Sequence, residues 1–316
     1  MAIIPNTQKF HTVSAEVDTE NKGSELANSR REAFTMQDII DTLPAAATLF
    51  EEGTGAASTQ RVGSSNASSA EGATVSGGKN NVASADFATV GGGDENVANG
   101  RFSTISGGRN GIASAEDAVI GGGKYNYATA DGSTVSGGIY NNASLNGATI
   151  GGGNGCSASG FFSTVGGGRF NNASDDSATI AGGNSGSASA SGSTVGGGSY
   201  ITSSGQYSTV GGGNTNTASG GSAVIGGGFN NVASGYYAVI TGGNYNYATA
   251  SNSVIVGGAY NNTSTFSSTI IAGNGITADQ SGCTFVSRLS IKSIPTSAAG
   301  LPSGSVWSNG GVLNIV

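Results

Sequence analysis

Small and β-branched residues alternate with polar ones along this chain at a spacing that holds for more than two hundred residues. Strand starts fall at Ala73, Ala88, Ser103 and Ala118 and continue to Ser253, Ser268 and Cys283, always fifteen residues apart. Numbering each coil from its strand start, position 3 is Val or Ile from Val75, Val90 and Ile105 to Ile270, and Phe285 closes the series. Position 1 is Ala or Ser, on the same face of a period-2 strand, and position 11 is Ala in twelve of fourteen coils. Such a register predicts identical stacked coils with a thin interior of small and branched side chains, and hence a rod. Fifteen coils at about 4.8 Å each would span about 70 Å.

Position 2 points the other way and should meet water. It is nonetheless Thr eleven times and Val four times, and never charged. An outward rank that admits Val and excludes charge predicts cover by another chain. The Val and Ile column is also small against the backbone entropy of so long a coil. Three coils packed about a common axis answer both points. The expectation is a homotrimer whose interface includes Thr74, Thr89, Val119, Val224, Val239 and Val254.

Position 6 is Gly in all fourteen coils and position 5 in thirteen, Ala272 being the exception. A Cβ is therefore not tolerated, because φ is positive or because another backbone lies close. Position 9 is Asn in nine of fourteen, which predicts a turn with left-handed φ and a stacked amide ladder.

Composition fits an ordered repeat rather than a globule. Glycine supplies 57 of 316 residues and charged residues only 10%, but a fixed period separates this chain from disordered glycine-rich ones. A net charge of −7 argues against nucleic acid as a partner. Cys156 and Cys283 lie too many coils apart to bridge within one chain and read as small residues filling two columns. No signal peptide is visible in Met1 to Lys9, and no run of 18 apolar residues suggests a membrane span.

The segments FSTVGGGRFNNASDDSATIAGG (Phe162 to Gly183) and GYYAVITGGNYNYATASNSVIVGG (Gly235 to Gly258) resemble the head repeats of YadA-like trimeric adhesins. That resemblance implies a trimeric left-handed parallel β-roll over residues 58–287, opened by a weaker coil at Arg61 to Gly72. The tail, Ile294 to Val316, looks like the ends of phage tail-fibre proteins, cyanophage ones especially. The start, Arg31 to Pro44, resembles the N-terminal segment of such virion proteins.

The flanks are read as two smaller parts. Residues 1–57 hold one predicted short helix, capped by Thr35 and bounded by Pro44. Its apolar stripe of Met36, Ile39, Ile40 and Leu43 is the expected virion-attachment face. Residues 288–316 should form a hairpin, Ser303 to Ser308 and Val312 to Val316 around Asn309-Gly310-Gly311, serving as cap or tip.

The fold expected is thus all-β: a parallel β-roll of 15-residue coils between a helical attachment segment and a hairpin. The function expected is that of a non-enzymatic phage tail fibre in the virion, made in the host cytoplasm and requiring no cofactor. Its partners would be two sister chains, a baseplate or other tail protein, and a host-surface glycan or outer-membrane component. From Ser177 to Ala278 there is no Lys, Arg, Asp, Glu or His, while aromatic residues recur. Tyr236, Tyr237, Tyr245, Tyr247 and Trp307 are the receptor-binding candidates. No catalytic or metal site is expected. The roll has no His, and Asp86 and Asp131, which share position 14, lie three coils apart, roughly 14 Å. Four other readings stay open: a structural spacer carrying another receptor-binding protein, a bacterial surface adhesin, an ice-binding solenoid read from the Thr rank, and a depolymerase.

Overall fold

In the computed structural model, which describes residues 50–55, 58–61, 65–288, 294–309 and 312–316, the chain is all-β. The predicted helix, with Met36, Ile39, Ile40 and Leu43, lies outside the described residues. Two units are distinguished, up to Gly153 and from Asn154, and both are parallel β-solenoids, about fifteen turns in all.

From Thr74 to Ala248 the regular turns are built from strands of two residues in two sets. One set pairs through positions 2 and 3, as in Thr74 opposite Thr89 with Val75 opposite Val90. The other pairs through positions 10 and 11, as in Val82 opposite Val97 with Ala83 opposite Ala98. Single bridges at position 7, Lys79 to Asp94 to Arg109 to Lys124, form a third parallel ladder. In the two-residue strands the second residue is buried and the first only partly or not at all, whereas Phe285, expected to close the interior series, is only half-buried. The interior therefore holds positions 1, 3, 9 and 11, with Ile105, Ile120, Ile150, Ile180, Ile225 and Ile255 among its largest residues.

The asparagine column is an interior feature, not a turn. Asn81, Asn96, Asn171 and Asn231 are 0% exposed, and none of them has positive φ. Apart from the glycines of position 6, left-handed backbone falls mainly at positions 8 and 15, for example Asn80, Phe87, Tyr237 and Tyr245. Each buried amide satisfies backbone groups that so thin a core could not otherwise pair. Asn96 Nδ2 donates to Gly92 O at 3.0 Å and Gly108 O at 2.9 Å, and its Oδ1 accepts from the Gly111 amide fifteen residues on. Direct amide-to-amide bonds occur at some steps, such as Asn231 Nδ2 to Asn216 Oδ1 at 3.2 Å. Cys156 occupies one slot of this column, buried and without a disulfide.

The two glycine columns have different causes. At position 6, Gly93 has φ of +96°, and an added Cβ would lie 2.0 Å from the Gly108 carbonyl oxygen. Nothing but glycine fits there. At position 5, a Cβ on Gly107, Gly122, Gly182, Gly197 or Gly212 would meet nothing within 4 Å, and φ is outside the left-handed range. The conformation and contacts of a single chain do not demand glycine at that position.

The strict period fails once. Val254 pairs with Ile270 and Ile255 with Ile271, sixteen residues on, after which Ile271 pairs with Phe285, fourteen on. The buried residue is thus Ile271, while Ile270, the predicted interior member, is 41% exposed. Two adjacent isoleucines permit either phase, so the sequence pattern alone did not expose the shift. The second ladder keeps its register, with Asn262 bridging Tyr247 and Thr277.

The first coil is also preceded by a strand that the repeat does not announce. Phe50–Glu52 runs antiparallel to Thr59–Arg61, which in turn pairs parallel with Thr74 and Val75. It covers the strand edge that the first coil would otherwise leave open. Beyond the coils, Val306–Asn309 pairs antiparallel with Val312–Ile315 in a two-stranded hairpin.

Candidate functional site

Surface chemistry concentrates at the two left-handed corners of the coil. Bulky side chains at positive φ are uncommon because the Cβ crowds the backbone. These corners nonetheless carry Phe87, Phe102, Phe162, Tyr207 and Tyr237 at position 15, and Tyr125, Tyr140, Phe170, Tyr200, Tyr245 and Tyr260 at position 8. Part of the compensation is packing along the coil stack. Phe87 and Phe102 stack at 5.3 Å, Tyr125 and Tyr140 at 4.9 Å, and Tyr245 and Tyr260 at 5.0 Å, near the spacing of successive strands. Elsewhere a ring folds back over a glycine, as Phe170 does over Gly155 and Tyr207 over Gly192.

Basic residues add to this in the lower-numbered coils. The Arg101 guanidinium sits 4.4 Å from the Phe102 ring centre, and the Arg169 guanidinium 4.9 Å from that of Phe170. Arg101 also meets Glu116 at 3.3 Å, and Arg109 meets Asp94 at 3.6 Å, both as exposed pairs of small energetic weight.

The receptor candidates do not form one patch. Tyr236 and Tyr237 meet edge to face at 4.4 Å, both about half exposed. The neighbouring Tyr237 hydroxyl and its charge raise the Tyr236 pKa above the ordinary 10.0. Tyr245 belongs to the other corner, between Phe229 and Tyr260, so one face of its ring is already used. Tyr247 stands apart at position 10, 37% exposed, with no described ring packed against it. Trp307 is half-buried in the terminal hairpin, opposite Asn314.

The proposed interface residues all stand at position 2 of their coils. Thr74, Thr89, Val119, Val239 and Val254 are half-buried at the outward position of their strands, and Val224 is 38% exposed. The register shift adds Ile270 to this rank, so Val224, Val239, Val254 and Ile270 are successive partners.

Position 14 carries more acid than the sequence reading gave it. Glu71 and Glu116 share it with Asp86 and Asp131, so Glu116 and Asp131 are in adjacent coils, with Arg101 beside Glu116. The glycosidase-like spacing dismissed for Asp86 and Asp131 therefore exists one coil apart, roughly 4.8 Å. Both are exposed side chains at turns of the coil. Among the described residues no group of three His, Cys, Asp or Glu is placed to hold a metal ion, and no helix is long and apolar enough to cross a membrane.

An open recess of about 570 Å³ lies beside the shifted coil, lined by Tyr247, Thr249, Ser251, Asn262, Thr265 and Ser267 among others. Of the candidate residues, only Tyr247 reaches it. The recess lies next to the phase change at Ile270 and Ile271, which the repeat hides. No family model and no curated protein matches the chain.

Proposed function

We propose that the chain is a non-enzymatic, homotrimeric tail-fibre protein that attaches a virion to its host surface. Three left-handed rolls of 15-residue coils pack side by side. The segment before residue 58 joins the virion, and the uncharged, aromatic coils with the terminal hairpin face the host. One observation carries the trimer: glycine recurs at position 5 where the chain itself leaves open space for a Cβ. A column that excludes side chains without internal cause is what close approach by a sister backbone requires. The neighbouring outward rank of Thr and Val, extended by Ile270, supplies apolar area for the same contact. The likeness of the repeats to trimeric adhesin heads, and of both ends to tail fibres, supports the rest of the reading. Weak contacts on three chains and several fibres then combine into avidity.

Adsorption tests the attachment role. Purified full-length protein should sediment with envelopes of the host, and soluble protein should compete with virions for them. A version lacking residues 288–316 separates two roles for the hairpin. Retained adsorption places binding on the coils, and lost adsorption with an intact trimer places it on the hairpin. Envelopes that bind neither protein would leave only a structural spacer.

A further inference from the structure

The recess at the shifted coil has a specific construction. In the coil before it, the Ala248 carbonyl accepts the amides of Ser234 and Gly235, at 3.0 and 3.1 Å. One coil on, the equivalent amides of Thr249 and Ala250 bond to a side chain instead, Thr263 Oγ1, at 3.0 and 3.2 Å. Thr263 stands in a column that is otherwise almost all Ala. Its buried hydroxyl replaces a backbone carbonyl, so the next stretch of chain is held off by the length of a side chain. The extra residue between Thr263 and Thr269 fills the longer path, with Ser264 and Ser268 at positive φ. The gap between Thr249–Ser251 and Ser264–Ser267 is the recess.

Its lining is polar without charge. Thr249 Oγ1 donates to Ser264 O at 2.6 Å, and Asn262 Oδ1 accepts from the Ser264 amide at 2.7 Å, which fixes both walls. The hydroxyls of Ser251, Thr265 and Ser267 and the amide Nδ2 of Asn262 have no protein partner among the described residues. The Tyr247 ring is free of other rings and about one-third exposed. An anionic ligand would find no cation, since none occurs from Ser177 to Ala278, and an apolar one would strand the hydroxyls.

We propose that this recess binds a neutral carbohydrate, with one sugar face on Tyr247 and its hydroxyls on Ser251, Asn262, Thr265 and Ser267. This rests on the attachment reading and names the receptor class for it. Alternating donors, acceptors and a ring face match the two sides of a pyranose.

Saturation-transfer NMR on the full chain tests this, with short neutral glucose-, galactose- and mannose-based oligosaccharides beside uronate- and sialate-containing ones. At least one neutral ligand should bind, and Ser251→Arg should lower its affinity by at least about tenfold, the worth of one or two hydrogen bonds. Thr265→Arg is the second blocking variant in case the first fails to fold. Thr263→Ala should abolish binding without changing any hydroxyl that touches the sugar, because it removes the strut that holds the recess open. Tyr200→Asn, at an exposed corner outside the recess, should leave binding unchanged. Binding of acidic ligands only, no binding, or neutral binding that survives both blocking variants overturns the proposal. Host adsorption measured in parallel separates the two readings: adsorption without neutral-sugar binding removes the recess and keeps the attachment role. Sugar binding without adsorption does the reverse.

Discussion

A buried asparagine at the ninth position of the coil replaces several bonds that water would otherwise make. Asn231 donates to Gly227 O and Gly243 O, and its Oδ1 accepts from the Asn246 amide. Asn231→Ala strands those groups and should cost roughly 2–4 kcal/mol, read as a lower denaturation midpoint at unchanged slope. The column is broken by Gly111, Cys156, Gly186, Ile201 and Ile276. At Gly111 a Cβ has its nearest neighbour at 3.1 Å, and φ is not left-handed. Gly111→Asn should therefore complete the ladder and add about 1 kcal/mol. Tyr236 should ionise above the ordinary tyrosine value in an alkaline absorbance titration. Its phenol pKa is raised in the folded state by Tyr237, so the associated stability is complete below the unfolded value of 10.0 and declines as pH rises past it. Tyr237→Phe should lower the Tyr236 pKa toward the ordinary value.

At the scale of the coil, register is the commodity that folding conserves. Position-for-position partners lie fifteen residues apart in both strand ladders of the regular turns. Deleting Ser133–Gly147, one full coil, should leave circular dichroism per residue unchanged and the transition cooperative. Deleting fourteen of those residues turns interior faces outward and should abolish the folded state. This coil was legible in the sequence because position 3 must be buried and position 6 cannot carry a Cβ. The phase change at Ile270 was not, because Ile270 and Ile271 satisfy the pattern equally. The asparagines were recognised as a ladder but misplaced at a turn. Asn is a common left-handed residue, and its alternative use as a buried substitute for water leaves the same column in the sequence. The recess followed neither motif nor composition, since Thr249, Ser251 and Thr265 resemble the Ser and Thr of every other coil.

For the whole molecule the decisive contrast is between the two glycines of each pair. Gly93→Ala places a Cβ 2.0 Å from the Gly108 carbonyl oxygen and should prevent the coil from closing. Gly107→Ala meets nothing within the chain. It should leave the monomer's secondary structure intact and weaken only what lies against that face. The outward Thr and Val rank predicts the same behaviour for Val239→Asp, whose charge would be harmless in water and costly in an interface. Sedimentation equilibrium of the full-length chain tests the central claim most directly, beside Gly107→Ala and Gly212→Ala. The account predicts a wild-type particle of three times the 30.6 kDa chain mass and a shift of both variants toward folded single chains. A wild-type protein that sediments as a stable, fully folded monomer would contradict it.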